Sequence, residues 1–242
     1  MSTQQRVLSL MGVVLIVVVG LAVTACDPLW PGDPGPPGAT TTTTGAPSQV
    51  DPYAGSGPKV AVAGDSITDQ SKPSINAALQ AAGFSSSVFG LSGGTLYDGR
   101  PHIDLYVPTA PAVMIEEFGF NDESRTFAGT DQTYTVQNFL LRLLSLRATF
   151  NASCFVPTTV TTHLSEAEHG NAAARNAIGA AFNANIRSYY PIYVDWDALS
   201  FAHPEYLQAD EIHPNDLGRA ALADADVAAA QACVAATPTP TP

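Results

Sequence analysis

Short apolar runs alternate with longer stretches of helical periodicity over residues 59–236. The apolar runs predict five strands, at 59–63, 86–90, 112–118, 154–160 and 191–195. The stretches between them predict helices, among them 73–82, 135–150, 171–189 and 215–232. Alternation of strands and helices is typical of a parallel sheet with helices on both faces. We therefore predict one three-layer α/β domain over residues 59–236, built on a five-stranded parallel sheet.

Two acidic residues interrupt the third apolar run. Glu116 and Glu117 stand inside the predicted strand 112–118. A strand covered on both faces is expected to carry apolar side chains. We interpret the two glutamates as lying near the exposed end of that strand.

The first 25 residues differ from the rest of the chain. A short polar segment with one cation, Arg6, precedes an uncharged apolar run over residues 7–25. This pattern is typical of a secretion signal, although the run is also long enough for an uncleaved membrane anchor. The sequence VTAC at 23–26 resembles the bacterial lipoprotein box, in which the cysteine is acylated and becomes the new N-terminus. We expect a lipoprotein-type signal peptide at 1–25, lipidation of Cys26 and export, with the protein either anchored on the outer face of the cytoplasmic membrane or secreted.

The chain has three cysteines, an odd number for an exported protein. With Cys26 lipidated, Cys154 and Cys233 remain as a candidate disulfide, and two separate buried thiols are the alternative. No CxxC or histidine-rich spacing supports a structural zinc site.

Composition changes again on either side of the predicted domain. Pro, Gly, Thr and Ser dominate residues 26–58, and TP repeats form residues 237–242. Such segments have too little apolar surface to fold, so we predict a disordered linker and a disordered tail. The net charge of -12 excludes nucleic acid as a partner, because phosphate binding needs clustered cations. We expect contact with a membrane only through the N-terminal anchor.

Candidate chemistry lies where strands end, since parallel α/β sheets bind ligands beyond the carboxyl ends of their strands. Gly64, Asp65 and Ser66 follow the first strand, and the glycine allows a sharp turn that leaves Ser66 at the sheet edge. Alone, this segment could be an ordinary turn with a capping serine. A serine nucleophile also needs an imidazole base and a group that orients the base.

One of the five histidines has such an orienting group nearby. His213 follows Asp210 by three residues, so the carboxylate can bond Nδ1 and direct Nε2 toward Ser66. A polar loop with a helix cap is the alternative interpretation of this segment. The other histidines are expected to be solvated or packed side chains: His102, His163, His169 and His203.

Acyl transfer also needs hydrogen-bond donors for the developing oxyanion. The segment LSGG at 91–94, after the second strand, can present a backbone N–H. The segment GFND at 119–122, after the third strand, offers the side-chain amide of Asn121. Either segment alone could be only a turn.

The segments GDSIT, LSGG, GFND and DEIHP, in this order, resemble the four blocks of the SGNH (GDSL-type) serine hydrolase family over residues 59 to about 233. The resemblance implies a flavodoxin-like sheet of order 2-1-3-4-5 and no metal or cofactor. It implies a catalytic triad of Ser66 as nucleophile, His213 as base and Asp210 as its orienting acid. It also implies an oxyanion hole formed by the Ser66 and Gly93 N–H groups and the Asn121 amide. The second block lacks the asparagine often found before its glycine, which leaves Gly94 as an alternative to Gly93.

The same resemblance implies a function. An SGNH-type enzyme on this chain would be an extracellular serine esterase that hydrolyses short-chain acyl esters through an acyl-serine intermediate. The segment 195–199 with His203 and Pro204 is similar to extracellular members related to cell-surface O-acyltransferases, which suggests a small-molecule or carbohydrate ester as substrate. Two alternatives stay open, an O-acyltransferase acting on a cell-surface carbohydrate and a non-catalytic wall-binding lipoprotein.

Overall fold

The computed structural model describes residues 50–236. The expected signal peptide at 1–25, lipidation at Cys26, the linker up to residue 49 and the tail at 237–242 lie outside the described residues. Between residues 50 and 236, no helix is both long and apolar enough to cross a membrane.

A five-stranded, mostly parallel sheet forms the centre of the domain. The strands are β1 (Ala54–Gly55), β2 (Lys59–Gly64), β3 (Ser85–Gly90), β4 (Val113–Glu117) and β5 (Cys154–Pro157). They lie in the order β1-β3-β2-β4-β5. The last four are parallel to one another, and β1 is antiparallel to β3. The α/β class predicted from the sequence is confirmed.

Helices cover both faces of this sheet. They are α1 (Ser66–Ala81), α2 (Leu96–Asp104), α3 (Phe120–Ala128), α4 (Val136–Thr149), α5 (Glu166–His169), α6 (Ala172–Tyr189), α7 (Trp196–Ala202) and α8 (Asp216–Ala236). Alternate residues of β2 enter opposite cores, as a strand with a period of two requires. Val60 and Val62 pack with residues of α1 and α8, whereas Ala61 and Ala63 pack with residues of α2, α4 and α6. The result is the three-layer arrangement.

The predicted strand order is wrong at its edges. Residues 191–195 form no strand, and only Val194 makes a single parallel bridge with Thr158. Pro191 has no N–H to donate to a ladder, which disfavours a regular strand there. At the opposite edge the sheet gains β1, which the sequence did not predict.

Strand β1 lies inside the segment expected to be a disordered linker. Ala54 and Gly55 pair with Ser86 and Ser85 of β3. The Tyr53 hydroxyl also lies 3.0 Å from the Thr109 hydroxyl oxygen. The folded domain therefore begins before residue 59.

Helix α1 begins at Ser66 rather than at residue 73, where a proline suggested a first turn. The Asp65 carboxylate accepts the Ile67 N–H at 2.9 Å and so caps the helix, which begins seven residues before Pro73. Pro73 is accommodated inside the helix. The cap places Ser66 in the first turn.

A disulfide joins Cys154 at the start of β5 to Cys233 near the end of α8, with 5.7 Å between the two Cα atoms. The expected pairing is therefore present in the structure. It ties the last helix to an edge strand of the sheet.

Candidate active site

Ser66 lies at the carboxyl end of the central strand β2. The turn into α1 is so tight that any side chain at position 64 would collide with Thr68, which explains the glycine there. Ser66 is the first residue of α1, so its N–H has no acceptor within the helix. This position leaves both its hydroxyl and its N–H available at the sheet edge.

His213 reaches Ser66 from a loop that is closed by a bridge between Leu207 and Pro214. The His213 Nε2 atom lies 2.9 Å from Ser66 Oγ, and its Nδ1 atom lies 2.7 Å from Asp210 Oδ2. Because the carboxylate accepts, Nδ1 carries the proton and Nε2 presents its lone pair to the serine hydroxyl. The structure thus brings the three predicted triad residues together, in the order a serine nucleophile needs.

The Asp210 carboxylate is held on both oxygens. Its Oδ1 atom accepts the backbone N–H groups of Ile212 at 3.0 Å and His213 at 2.9 Å. Burial raises the pKa of Asp210, but the hydrogen bonds from the His213 ring and these two N–H groups outweigh it and hold the pKa below its usual value. Asp210 is therefore charged at neutral pH and oriented toward the imidazole.

Of the two neighbouring glycines after β3, Gly93 has the available N–H. The Gly94 N–H donates to the Leu91 carbonyl at 2.8 Å, whereas the Gly93 N–H has no hydrogen-bond partner among residues 50–236. Gly93 has φ +76°, a value that glycine adopts without strain. The loop is tied to α1 by the Ser92 hydroxyl, which donates to Asp69 at 2.7 Å. This geometry favours Gly93 over Gly94 as a donor.

Asn121 links the segments after three different strands. Its amide nitrogen donates to the Gly94 carbonyl at 3.0 Å and lies 3.4 Å from Asp65 Oδ2. The chain enters α3 through Gly119 at φ +142°, where a side chain would come within 2.6 Å of Val160. One amide N–H therefore holds the glycine loop, and the other is only loosely engaged.

Asp122, next to Asn121, binds the start of α2 with its carboxylate. Its Oδ2 accepts the Leu96 N–H at 2.7 Å, and the nearly buried Arg142 guanidinium lies 3.7 Å from Oδ1. Burial raises the pKa of Asp122 to about 7 despite the N–H and the arginine, which lower it. The Arg142 guanidinium carbon also lies 5.2 Å from the centre of the Tyr97 ring and 5.5 Å from that of Tyr134.

Glu116 and Glu117 are 0% and 6% exposed, so the expectation that they lie at an exposed strand end is wrong. Glu116 accepts the Phe118 N–H at 2.8 Å, and Glu117 accepts the Thr68 hydroxyl at 2.6 Å. The fully buried Asp226 lies near Glu117, and neither of its carboxyl oxygens has a hydrogen-bond partner among residues 50–236. A buried carboxyl group without partners is more stable in its neutral form than as a carboxylate.

These side chains form a cluster of buried carboxyl groups next to the candidate site. Burial, and then the charge of Glu117, raises the pKa of Asp226 well above its usual value. Burial likewise raises the pKa of Asp65 to about 7, although the Ile67 N–H opposes the shift. No periodicity or motif predicts the cluster, because Asp226 meets Glu117 only through the packing of α8 on the sheet.

The cluster predicts an unusual pH dependence of stability. Asp65 and Asp122 have ordinary pKa values of 3.8 and folded-state values of about 7, so the folded protein binds more protons than the unfolded chain in between. The free energy of unfolding should therefore fall as pH rises from about 4 to 7 and stay low above that. We expect a higher urea midpoint at pH 5 than at pH 8 for the purified protein.

A matched pair of variants tests the origin of this dependence. Asp226→Asn removes a buried ionisable group and should raise the urea midpoint at pH 8 relative to the unmutated protein. Asp224→Asn, at an exposed position on the same helix, should leave the midpoint unchanged. A midpoint that rises from pH 5 to pH 8 in the unmutated protein would contradict the prediction.

His169, expected to be a solvated or packed side chain, contacts the loop that carries Asp210. Its Nε2 atom lies 3.0 Å from the Asp210 carbonyl oxygen. His102, by contrast, packs as expected, with its ring stacked on Phe89. Nothing in the local sequence distinguishes the two histidines, because the contact of His169 spans 41 residues.

No family model and no curated protein matches this chain. Solved structures do. An alpha/beta hydrolase from the metagenome of Lake Arreo, Spain, shares 22% identity over 76% of this chain and 99% of its own, with a TM-score of 0.59. An acetylxylan esterase from Geobacillus stearothermophilus shares 20% identity over 74% of this chain and 96% of its own, with a TM-score of 0.57.

Several structures of the acetylxylan esterase are of variants with single substitutions. Three of its structures are of catalytic mutants in which a serine, an aspartate or a histidine is replaced by alanine, and the aspartate precedes the histidine by three positions. Another variant, described as an acetyl-xylooligosaccharide esterase, shares 21% identity over 73% of this chain and 95% of its own, with a TM-score of 0.58. At these identities the likeness shows that this chain has the fold of these hydrolases.

Proposed function

We propose that this protein is an SGNH-type serine esterase that hydrolyses short-chain acyl esters of carbohydrates through an acyl-serine intermediate. The observation that carries the proposal is the chain of two hydrogen bonds from Ser66 through His213 to Asp210, at 2.9 and 2.7 Å. The similar acetylxylan esterase supports it, since its catalytic mutants alter a serine, an aspartate and a histidine with the same spacing of the last two. That enzyme also supports an acetylated sugar as substrate.

The reaction begins with attack by Ser66 Oγ on the ester carbonyl carbon, while His213 Nε2 takes the hydroxyl proton. The negative oxygen of the tetrahedral intermediate is stabilised by the N–H groups of Ser66 and Gly93 and by the Asn121 amide. The bond to the alcohol then breaks, and His213 donates its proton to the leaving oxygen. Ser66 is left carrying the acyl group.

Water completes the cycle. His213 removes a proton from water as the water oxygen attacks the acyl carbon, and the Ser66 Oγ–acyl bond breaks with return of the proton to Ser66. Asp210 stays ionised throughout and stabilises the imidazolium that forms twice. The products are a free acid and a free sugar hydroxyl. The proposed site of action is outside the cytoplasm, with the protein held by lipid at Cys26 or secreted.

The proposal is tested with a panel of esters and a covalent probe. We expect hydrolysis of p-nitrophenyl acetate and of acetylated xylo-oligosaccharides, with rates falling as the acyl chain lengthens, and labelling of Ser66 by a fluorophosphonate in peptide mass spectra. Acetyl transfer to an added sugar in preference to water would instead indicate a transferase. No turnover and no label at Ser66 would favour a non-catalytic protein.

Asn121 gives a sharper test of the oxyanion hole. Asn121→Ala should lower kcat by about 10²- to 10³-fold with little change in KM, because the amide contacts an oxygen whose charge develops in the transition state. Asn138→Ala is a suitable control, since the Asn138 side chain bonds Thr133 and Gln132 at the start of α4. A raised KM with a normal kcat would make Asn121 a substrate-binding residue.

A further inference from the structure

A second histidine holds the main chain of the triad loop. His169 ends α5, its side chain is 11% exposed, and its Nε2 atom lies 3.0 Å from the Asp210 carbonyl oxygen. A carbonyl oxygen can only accept, so Nε2 carries the proton and donates. His169 therefore fixes the peptide group of the residue whose side chain orients His213.

The next residue in the loop has a backbone conformation that needs support. Glu211 has φ +57°, in the left-handed region that residues other than glycine rarely adopt. Its carboxylate accepts the Ser165 N–H at 2.6 Å and lies 3.6 Å from His169 Nε2. A strained turn persists only when contacts with its surroundings hold it in place. Here Ser165 and His169 supply such contacts to Glu211 from one side.

We call residues 164–169 the clamp segment, and α6 anchors it. The Leu164 N–H donates to the Asn176 side chain at 3.1 Å, and the Asn176 amide donates back to the Leu164 carbonyl at 2.9 Å. Leu164 is buried with Phe120 and packs against Ile212 of the triad loop. The clamp segment is thus rigidly placed and contacts the loop through both polar and apolar groups.

We propose that His169 is a positioning residue that acts on catalysis through Asp210. This inference rests on the proposed esterase function. Asp210 must hold Oδ2 on the imidazole while Oδ1 accepts two N–H groups, which requires a fixed main chain. His169 supplies that restraint from outside the triad, and among residues 50–236 it makes no hydrogen bond or ion pair with Ser66 or His213.

Two variants of His169 separate the donor from the bulk of the ring. His169→Gln keeps an N–H donor at about the position of Nε2, whereas the side chain of His169→Asn is too short to reach the Asp210 carbonyl. We expect His169→Asn to lower kcat by about 10- to 100-fold with KM unchanged, since small displacements of catalytic groups are costly. His169→Gln should restore most of the loss. The control His102→Asn should match the unmutated enzyme.

A double-mutant cycle tests whether the effect passes through Asp210. In an Asp210→Asn background, His169→Asn should cost little more, because the group that it positions is already altered. The low-field proton resonance of His213 Nδ1–H gives a readout independent of turnover. We expect this resonance in the unmutated protein and in His169→Gln, and its shift or loss in His169→Asn.

These outcomes separate the inference from the proposed function. If the unmutated protein has no esterase activity, the proposed function fails, and the proton resonance still decides the role of His169. If activity is present but His169→Asn leaves kcat and the resonance unchanged, the positioning role is wrong. A cost that adds in full to that of Asp210→Asn would also overturn it, as would equal losses in the Asn and Gln variants.

Discussion

Ser66→Ala is expected to lower kcat for p-nitrophenyl acetate by about 10⁴- to 10⁶-fold while leaving the urea midpoint of the protein unchanged. The variant removes the only atom that attacks the carbonyl, so any residual rate must come from water activated by His213 and from the oxyanion donors. The Ser66 hydroxyl is partly exposed and bonds only His213 among the described residues, so its loss leaves no cavity in the core. Ester hydrolysis and urea titration of the same samples measure the two effects.

The losses of kcat caused by substitutions in the triad should not be additive. Ser66→Ala and His213→Ala should each cost about as much as the double variant, because the nucleophile and its base act as one unit. Ser74→Ala, about two turns further along α1, is the matched control and should retain full activity. Independent, additive losses would mean that His213 does not activate Ser66.

The parallel sheet was predictable because β2 and the first three residues of β4 are apolar and covered on both faces, so their character shows directly in the sequence. The failures lie at the two edges. Residues 191–195 have the composition of a strand. They form none, because only Val194 pairs with the neighbouring segment, through a single bridge to Thr158. Strand β1 has only two residues, and its pairing with β3 depends on the folded sheet rather than on its own sequence.

The candidate site divides in the same way. Asp210 and His213 are three residues apart, so their contact could be inferred from spacing alone. Gly93 and Asn121 could be singled out as candidate donors because each follows a parallel strand. The burial of Glu117 against Asp226 and the bond from His169 to Asp210 join distant parts of the chain, and neither has a local signal.

Reduction of the disulfide is expected to lower the stability of the fold strongly and to leave the rate of catalysis almost unchanged. Cys154 and Cys233 are 79 residues apart, and closing a loop of that length in the unfolded chain is worth about 4 to 5 kcal/mol in the chain-entropy model. Reduction should therefore lower the melting temperature by about 10 °C in a domain of this size. The variant Cys154→Ala/Cys233→Ala should show the same loss and no further response to reductant.

Catalysis at 25 °C should survive reduction. Cys233 lies near the far end of α8 from His213, about 25 Å along a helix with a rise of 1.5 Å per residue. The bond between His213 and Asp210 depends on the loop and the clamp segment, not on that distant end. Peptide mass spectra of the non-reduced protein should contain the Cys154–Cys233 cross-link. Two alkylatable thiols at these positions, or a kcat that falls in step with reduction well below the melting temperature, would show that the tether acts differently.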